Sequence, residues 1–583
     1  MRAIKWCRRA THGFLNTVVA AWLVACCGTV LAQPVAAPAD AATIDPTPRP
    51  APAESPGVAA RFPDPAVSYR TPAFEPGRSA FTSNAELRSL LRGLVRDGQG
   101  AADPTSVRLL SLGSSQNGVP LEAMQFSRAP VPLAATGATA QAPRPVVLLI
   151  GQQHGDEPAG AEALIVIAQA LAQGAPSAQG SVGAPAALGG LAALLDRIDV
   201  VILPRANPDG AAAGSRVSAS GIDVNRDHLL LRTPEAQAQA QLAREFNPVV
   251  VVDSHEYSVL GRYVEKFGAV QRFDVLIQYA MVANLPAFIT RASEEWFRQP
   301  LLQSLKRQGL STEWYYTTST DVANKKVSMG GVHPDTGRNV HGLRNAVSIL
   351  IETRGIGLGP DHLLRRVHTH VTAVASVLQS AAARADDLQK LRRFVDAEVA
   401  AQACQGEVIV EAAATPSEYT LLMLDPQTGA DKPVSVAWDS SLALVAVKRR
   451  ARPCGYWLAA DQVDAVLRLR GLGVQVQRFD EIGALRGEAY RETARELGVR
   501  ADVRGSIADA GGVLRVSVEL VPAVIEAPAG SYYVGLDQPL AHLVVAALEP
   551  DTQNSYVTSR IVGSVNAQAR VLARPAVRMS ALP

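Results

Sequence analysis

Cysteine is scarce, and most of it sits where it cannot staple a fold. Of five cysteines, Cys7, Cys26 and Cys27 lie in the first 32 residues, which leaves Cys404 and Cys454. Two distant cysteines cannot build a multi-cysteine zinc cluster. An excess of one charge is missing too. The net charge is +2. Arg2, Lys5, Arg8 and Arg9, with no acid among the first 32 residues, account for +4, so the remainder carries −2. That balance argues against a nucleic-acid-binding protein. No internal repeat is present, and the 45 Gly and 38 Pro follow no collagen period. Beyond residue 27 no apolar run reaches the roughly 20 residues that span a bilayer. What is plentiful is hydrophobic side chain, 48% of 583 residues. That is enough for sizeable cores in a chain of roughly four domains' length.

The N-terminus reads as an export signal, residues 1–32. A basic stretch to Arg9 precedes an uncharged apolar run, Phe14 to Cys27, and Val30-Leu31-Ala32 forms a small-x-small cleavage pattern. The run is short for a membrane anchor. A competing reading takes Leu23-Val24-Ala25-Cys26 as a lipobox that would make Cys26 a lipid anchor. Either way the mature chain is expected outside a bacterial cytoplasm, periplasmic or secreted, or as a lipoprotein, with no membrane span. That compartment permits disulfides. Cys404 and Cys454, the thiols left after cleavage, are expected to pair; the alternative is two buried free cysteines.

Residues 33–78, rich in Pro and Ala, read as an extended linker. From about residue 79 to 384, continuous β-branched runs alternate with helical stretches. Examples are PVVLLI (145–150), DVVILP (199–204), PVVVVD (248–253) and AVSILI (346–351). Such runs suit strands covered on both faces. The expected class is therefore α/β, a mixed and largely parallel sheet flanked by helices. Two Ala/Gly/Pro-rich insertions, 129–144 and 174–190, read as surface loops. Residues 385–583 are expected to form a smaller α+β or β-rich accessory domain, with helices near 461–470 and 487–497.

Polar residues cluster at the ends of these strands. GQQHGDEPAG carries His154 and Glu157 just past a buried strand. On its own this reads better as a helix start, with acids and Pro in the first turn. PVVVVDSHEYS carries His255. A lone His there is more often structural, yet strand C-terminal ends are where α/β sheets build sites. Two imidazoles and a carboxylate with an open fourth position suit catalytic zinc. Asn207-Pro208-Asp209-Gly210 alone is a turn, and Asn225-Arg226 alone could be a surface pair. Glu352 ends an apolar strand and needs a partner: metal, substrate proton, or a salt bridge with Arg354.

Together the segments resemble the zinc carboxypeptidase family, the carboxypeptidase A-like metallopeptidases. The order H-x-x-E, N-P-D-G, D-x-N-R, H-x-Y, E-x-R runs over about residues 79–384. The resemblance implies that His154, Glu157 and His255 hold one Zn2+ and that Glu352 is the catalytic glutamate. It implies that Arg216 polarises the scissile carbonyl and that Asn225 and Arg226 hold the substrate's terminal carboxylate. Asp223 would orient a ligand histidine, and Tyr257 would border an outer substrate subsite. The expected partner is a peptide with a free C-terminus. Cell-wall stem peptides, cleaved by an amidase or endopeptidase reaction, are the alternative; a non-catalytic binding protein is a third.

The chain departs from the pattern in one place. The family's mobile tyrosine before the catalytic glutamate has no counterpart in residues 327–351, where His333 or His341 could stand in. Asp335 and Arg338 fall where the family places its side-chain pocket. Arg338 would favour an acidic residue and Asp335 a basic one; both could equally be solvated. His362, His368 and His370 lie on a charged helical stretch and are expected to face solvent.

Overall fold

The β-branched runs form the strands their composition suggests. In the computed structural model, which describes residues 53–99, 105–128, 144–172, 188–508 and 512–582, eight strands make the central sheet. They are β1 (Thr105–Ser114), β2 (Pro120–Arg128), β3 (Val146–Gly151), β4 (Asp199–Leu203), β5 (Val250–Ser258), β6 (Val275–Tyr279), β7 (Thr312–Trp314) and β8 (Val347–Ile356), ordered β1-β2-β4-β3-β5-β8-β6-β7. The inner set β4, β3, β5 and β8 is parallel, while β1, β2 and β6 add antiparallel pairings. The sheet is thus mixed and flanked by helices, as expected. The export signal, the Cys26 lipobox, residues 33–52 of the expected linker and most of both insertions lie outside the described residues.

Strand alternation explains the continuous hydrophobicity. Val147 and Leu149 of β3 face α2 (Pro158–Ala172) and α4 (Leu363–Ala383), whereas Leu148 and Ile150 face Ala238 and Leu242 of α3 (Pro234–Phe246). Both faces are dry, so neither can be polar. α1 (Asn84–Gln99) carries Leu87, Leu91 and Leu94 at helical spacing into the first of these cores.

Three expectations need correction. The linker does not run extended and unpacked to residue 78: Val58, Phe62 and Tyr69 are buried in the main core. Apolar side chains between the prolines gain more by burial than the chain loses in freedom. Residues 487–497 are not a helix. They belong to a long strand, Gly483–Gly498, paired antiparallel with Val513–Ala527, where cross-strand partners override local preference. Nor do the three histidines face solvent. His368 and His370 are buried, bonded to the Tyr69 hydroxyl (2.8 Å) and Thr353 Oγ1 (3.0 Å), and His362 pairs with Glu54 (3.1 Å). α4 is covered on more than one side, so a polar residue there must find a partner.

Beyond residue 385 the chain is β-rich and shares structure with the first part. A ribbon of Glu407–Leu424 and Asp431–Ala451 pairs with Val270–Gln271 and Val327–Ser328. One core joins Leu229, Leu231 and Leu343 to Leu469 and Val544. Cys404 and Cys454 form a disulfide, with Cα atoms 4.2 Å apart. Among the described residues no helix is long and apolar enough to cross a membrane.

One close approach fixes the turn after β3. A Cβ on Gly155 would lie 1.9 Å from the Gly210 carbonyl carbon, backbone against backbone. Neither side can yield by rotating a side chain. Gly155→Ala should therefore destabilise the protein by about 1–3 kcal/mol and loosen the turn that carries His154. Unchanged melting in a thermal scan would refute this packing.

Candidate active site

Parallel strands direct their C-terminal ends to one edge, and the polar segments gather there. His154 and Glu157 occupy the turn between β3 and α2, whose first residue is Pro158. β4 leads into the short helix Pro208–Ala213, capped by Asn207 accepting from Gly210 N–H. Arg216 follows that helix. Asp223 caps the single turn Val224–Arg226 by accepting from Asn225 N–H (3.0 Å). His255 lies near the end of β5, directly opposite Glu352 of the neighbouring parallel β8.

His154, Glu157 and His255 converge, all three buried, with their donor atoms within 4.8 Å of one another. His154 Nδ1 is 2.7 Å from Glu157 Oε1, His255 Nδ1 is 2.8 Å from Oε2, and the two Nδ1 atoms are 3.1 Å apart. The outer nitrogens are committed elsewhere. His154 Nε2 donates to Asp223 Oδ1 (3.1 Å), and His255 Nε2 donates to Asp253 Oδ1 (2.9 Å). A proton held at Nε2 leaves the Nδ1 lone pair facing the centre, as metal ligation requires. The Glu157 carboxylate is aimed as well, by the Glu256 N–H on Oε2 (3.0 Å). Two nitrogens and one carboxylate oxygen fit zinc.

Electrostatics favour a cation at this point. Burial pushes the Glu157 carboxyl up, but His154 and His255 outweigh it and hold the group well below the carboxylate range. Burial disfavours charge on His255, yet Asp253 and Glu157 hold that ring protonated well above its usual value. Without a metal, a proton fills the role of the missing positive charge.

The remaining expected residues divide. Arg216 reaches the centre: Nη1 is 3.3 Å from Glu157 Oε1, while Nη2 is held by Asp223 (3.0 Å). Glu352 lines the same cleft and accepts no hydrogen bond among the described residues; Arg354 pairs instead with Glu54 (2.7 Å). Burial pushes the Glu352 carboxyl up to about 8; Glu157 adds to the shift, and His255 and Arg216 oppose it. Asn225 places its amide nitrogen 3.1 Å from His255 Nε2 and accepts from Gly337 N–H (2.8 Å). Arg226 lines the cleft too, and Asp502 accepts from its Nε (3.1 Å) and Nη2 (2.5 Å). Tyr257 borders the cleft, but its hydroxyl donates to the Phe273 carbonyl.

Neither expected stand-in for a tyrosine enters the cleft. His341 is buried against His228, their ring centroids 5.8 Å apart, and His333 lines a different groove. Tyr315 does line it, with Arg262, Arg338 and Arg504. Asp253 stood two residues before His255 and was legible as a partner. Tyr315, Asp502 and Arg504 belong to no motif.

The buried carboxylates yield a test. Asp253→Asn keeps size but removes the charge that fixes the His255 proton. It should weaken zinc affinity by about 10- to 100-fold, read by chelator competition. Unchanged affinity would reduce Asp253 to packing.

Residues 97–249 match the family described as zinc carboxypeptidase. Carboxypeptidase 2 of Trichophyton equinum is 29% identical over 428 residues, 71% of this chain and 74% of that one. Carboxypeptidase D of Mus musculus is 39% identical over 116 residues, 19% of this chain and 8% of its own length. A solved metallo-carboxypeptidase from Pseudomonas aeruginosa is 20% identical, with a TM-score of 0.34 over 51% of this chain and 68% of that one. The family match spans the turn carrying His154 and Glu157 through Arg226, and the fungal relatives extend the likeness over most of both chains, so this chain is similar to zinc carboxypeptidases along most of its length.

Proposed function

We propose that this chain is an exported zinc carboxypeptidase in which Glu352 acts as general base on water attacking the C-terminal peptide bond. The observation that carries the reading is the position of Glu352, without an ion-pair partner among the described residues, opposite His255 in the cleft where His154 and Glu157 converge. His154, Glu157 and His255 would hold the zinc. The metal supplies a Lewis acid that acidifies water and polarises a carbonyl. Glu352 takes a proton from the attacking water and returns it to the leaving amine. Arg216, braced by Asp223, presents Nη1 where negative charge develops on the carbonyl oxygen. The uncleaved N-terminal pattern supports export, and residues 79–384 supply every group in this scheme. Residues from 385 on act as an accessory part that borders the cleft through Asp502 and Arg504.

The engagement of Arg226 by Asp502 favours keeping a second reading, cleavage of cell-wall stem peptides without recognition of a free C-terminus. Peptides with free and amidated ends separate the two. Preference for the free end supports the carboxypeptidase; equal turnover supports the alternative.

Glu352→Gln should retain about one equivalent of zinc and melt normally while losing about 10²-fold or more in turnover. Near-normal turnover would move the base elsewhere. The base must be ionised, so kcat/KM should climb with pH through the Glu352 titration. A bound dication lowers that titration below the value of about 8 set by burial in the metal-free chain. A wild-type pH profile with no acid limb would contradict this assignment.

A further inference from the structure

Five arginines and three glutamates line the cleft, so its lining is net positive. Arg216 is held by Asp223 and Glu157, and Arg226 by Asp502. Arg338 pairs with no carboxylate among the described residues: it donates to the Gly331 carbonyl (2.9 Å) and the Asn339 amide oxygen (3.4 Å). The Arg504 guanidinium makes no hydrogen bond or ion pair among the described residues. Asp335, the acid that could have selected a basic side chain, is buried on Arg500 (3.3 Å) and does not line the cleft.

Arg504 is not a loose surface residue. It sits at the tip of a small hairpin, Ala501–Asp502 against Gly505–Ser506. The Arg504 carbonyl accepts from Thr320 N–H (3.0 Å), and its N–H donates to Asp502 Oδ1 (2.8 Å). Buried Arg500 donates to the Arg226 carbonyl (2.9 Å), and the Ala508 carbonyl accepts from Asp223 N–H (3.2 Å). The hairpin is therefore anchored to the segment Asp223–Arg226, where the family pattern locates carboxylate recognition. Crowding by Arg216, then burial, pushes the Arg504 guanidinium below its usual range. Burial pushes Arg338 down to about 10. Unpaired, partly buried guanidinium groups are unfavourable until an anion joins them.

We propose that the cleft selects peptides ending in Glu or Asp, with Arg504 joining Arg226 in receiving the terminal carboxylate and Arg338 receiving the side-chain carboxylate. This rests on the carboxypeptidase reading above and names its substrate class. Guanidinium forks match carboxylates in planar, two-donor geometry. Two such groups facing one cleft suit a residue that carries two carboxylates. The accessory part thus contributes a specificity-determining residue to a site otherwise built by the first part.

The test uses the zinc-loaded full chain and peptides that differ only in their last residue: Glu, Asp, Gln, Leu or Lys. Wild type should favour Glu over Gln by about 10-fold or more in kcat/KM. Arg338→Gln should erase that ratio. Arg504→Gln should lower kcat/KM on free-ended peptides by about 10- to 100-fold, mainly through KM, with zinc content and melting unchanged. Arg504→Lys should restore part of the loss. A wild type that releases Gln or Lys as readily as Glu, or an Arg504→Gln protein with unaltered KM, overturns the inference and leaves the carboxypeptidase standing. A wild type that cleaves amidated peptides as well as free ones overturns the carboxypeptidase reading, and this inference with it.

Discussion

Two buried carboxylates decide what the cleft can do. Asp223 and Asp253 each take the outer nitrogen of a histidine, and that choice turns both Nδ1 atoms toward Glu157. A neutral imidazole has one donor and one acceptor nitrogen, so fixing one fixes the other. Each carboxylate is itself held in place. Asp223 accepts from Asn225 N–H and from Arg216, and Asp253 accepts from Gln153 Nε2 (2.7 Å), whose amide oxygen lies 2.7 Å from His228 Nε2. Burial makes these bonds strong and leaves little freedom for alternatives. A Cβ on Gly337 would come within 2.9 Å of His228 and 3.2 Å of Asp253, so even the helix start beyond is shaped to this network.

The second dependency is register. Glu352 reaches the cleft because β8 pairs with β5 residue for residue, Val347 against Val250 through Glu352 against His255. A slip of one residue would turn Glu352 to the opposite face and bring Ile351 or Thr353 across from His255. Dry cores on both sides guard against that slip, because alternate residues of β5 are buried on opposite faces. The hydrophobic pattern and the catalytic geometry are thus the same constraint seen at two scales.

His154, Glu157, His255 and Glu352 were legible because each lies at or just past a strand end, which is readable from local sequence, whereas Arg216, Asn225 and Arg226 were legible only through the family pattern. His154, Glu157 and His255 lie together, and Arg216 and Glu352 line the same cleft. What stayed hidden comes from distance and context. Tyr315 precedes the loop in which a tyrosine was sought, and Asp502 and Arg504 come from a hairpin with no motif. Residues 487–497 looked helical because Glu, Arg and Ala favour helices; their partner strand, Val513–Ala527, reversed the outcome. His368 and His370 looked solvated on a charged stretch, and only the packing of α4 reveals them as buried.

The Asp502–Arg226 pair shows why a motif can name a position without naming its task. Both side chains are largely buried, and removing either would strand a charge, which in such pairs costs about 3–5 kcal/mol. Arg226 also donates to the Asn225 carbonyl (2.8 Å), so three of its five N–H donors are used inside the protein. An arginine so engaged braces the turn that carries Asn225 and Asp223 and keeps only part of its donor set for an incoming carboxylate. The anion-binding capacity of the cleft passes to the guanidinium groups that remain unpaired. Those are supplied by the short helix Gly337–Leu343 before β8 and by a hairpin more than 270 residues beyond Arg226 in the sequence. Specificity in this chain is therefore a property of how its two parts meet, and cannot be read from the order of the five motifs alone.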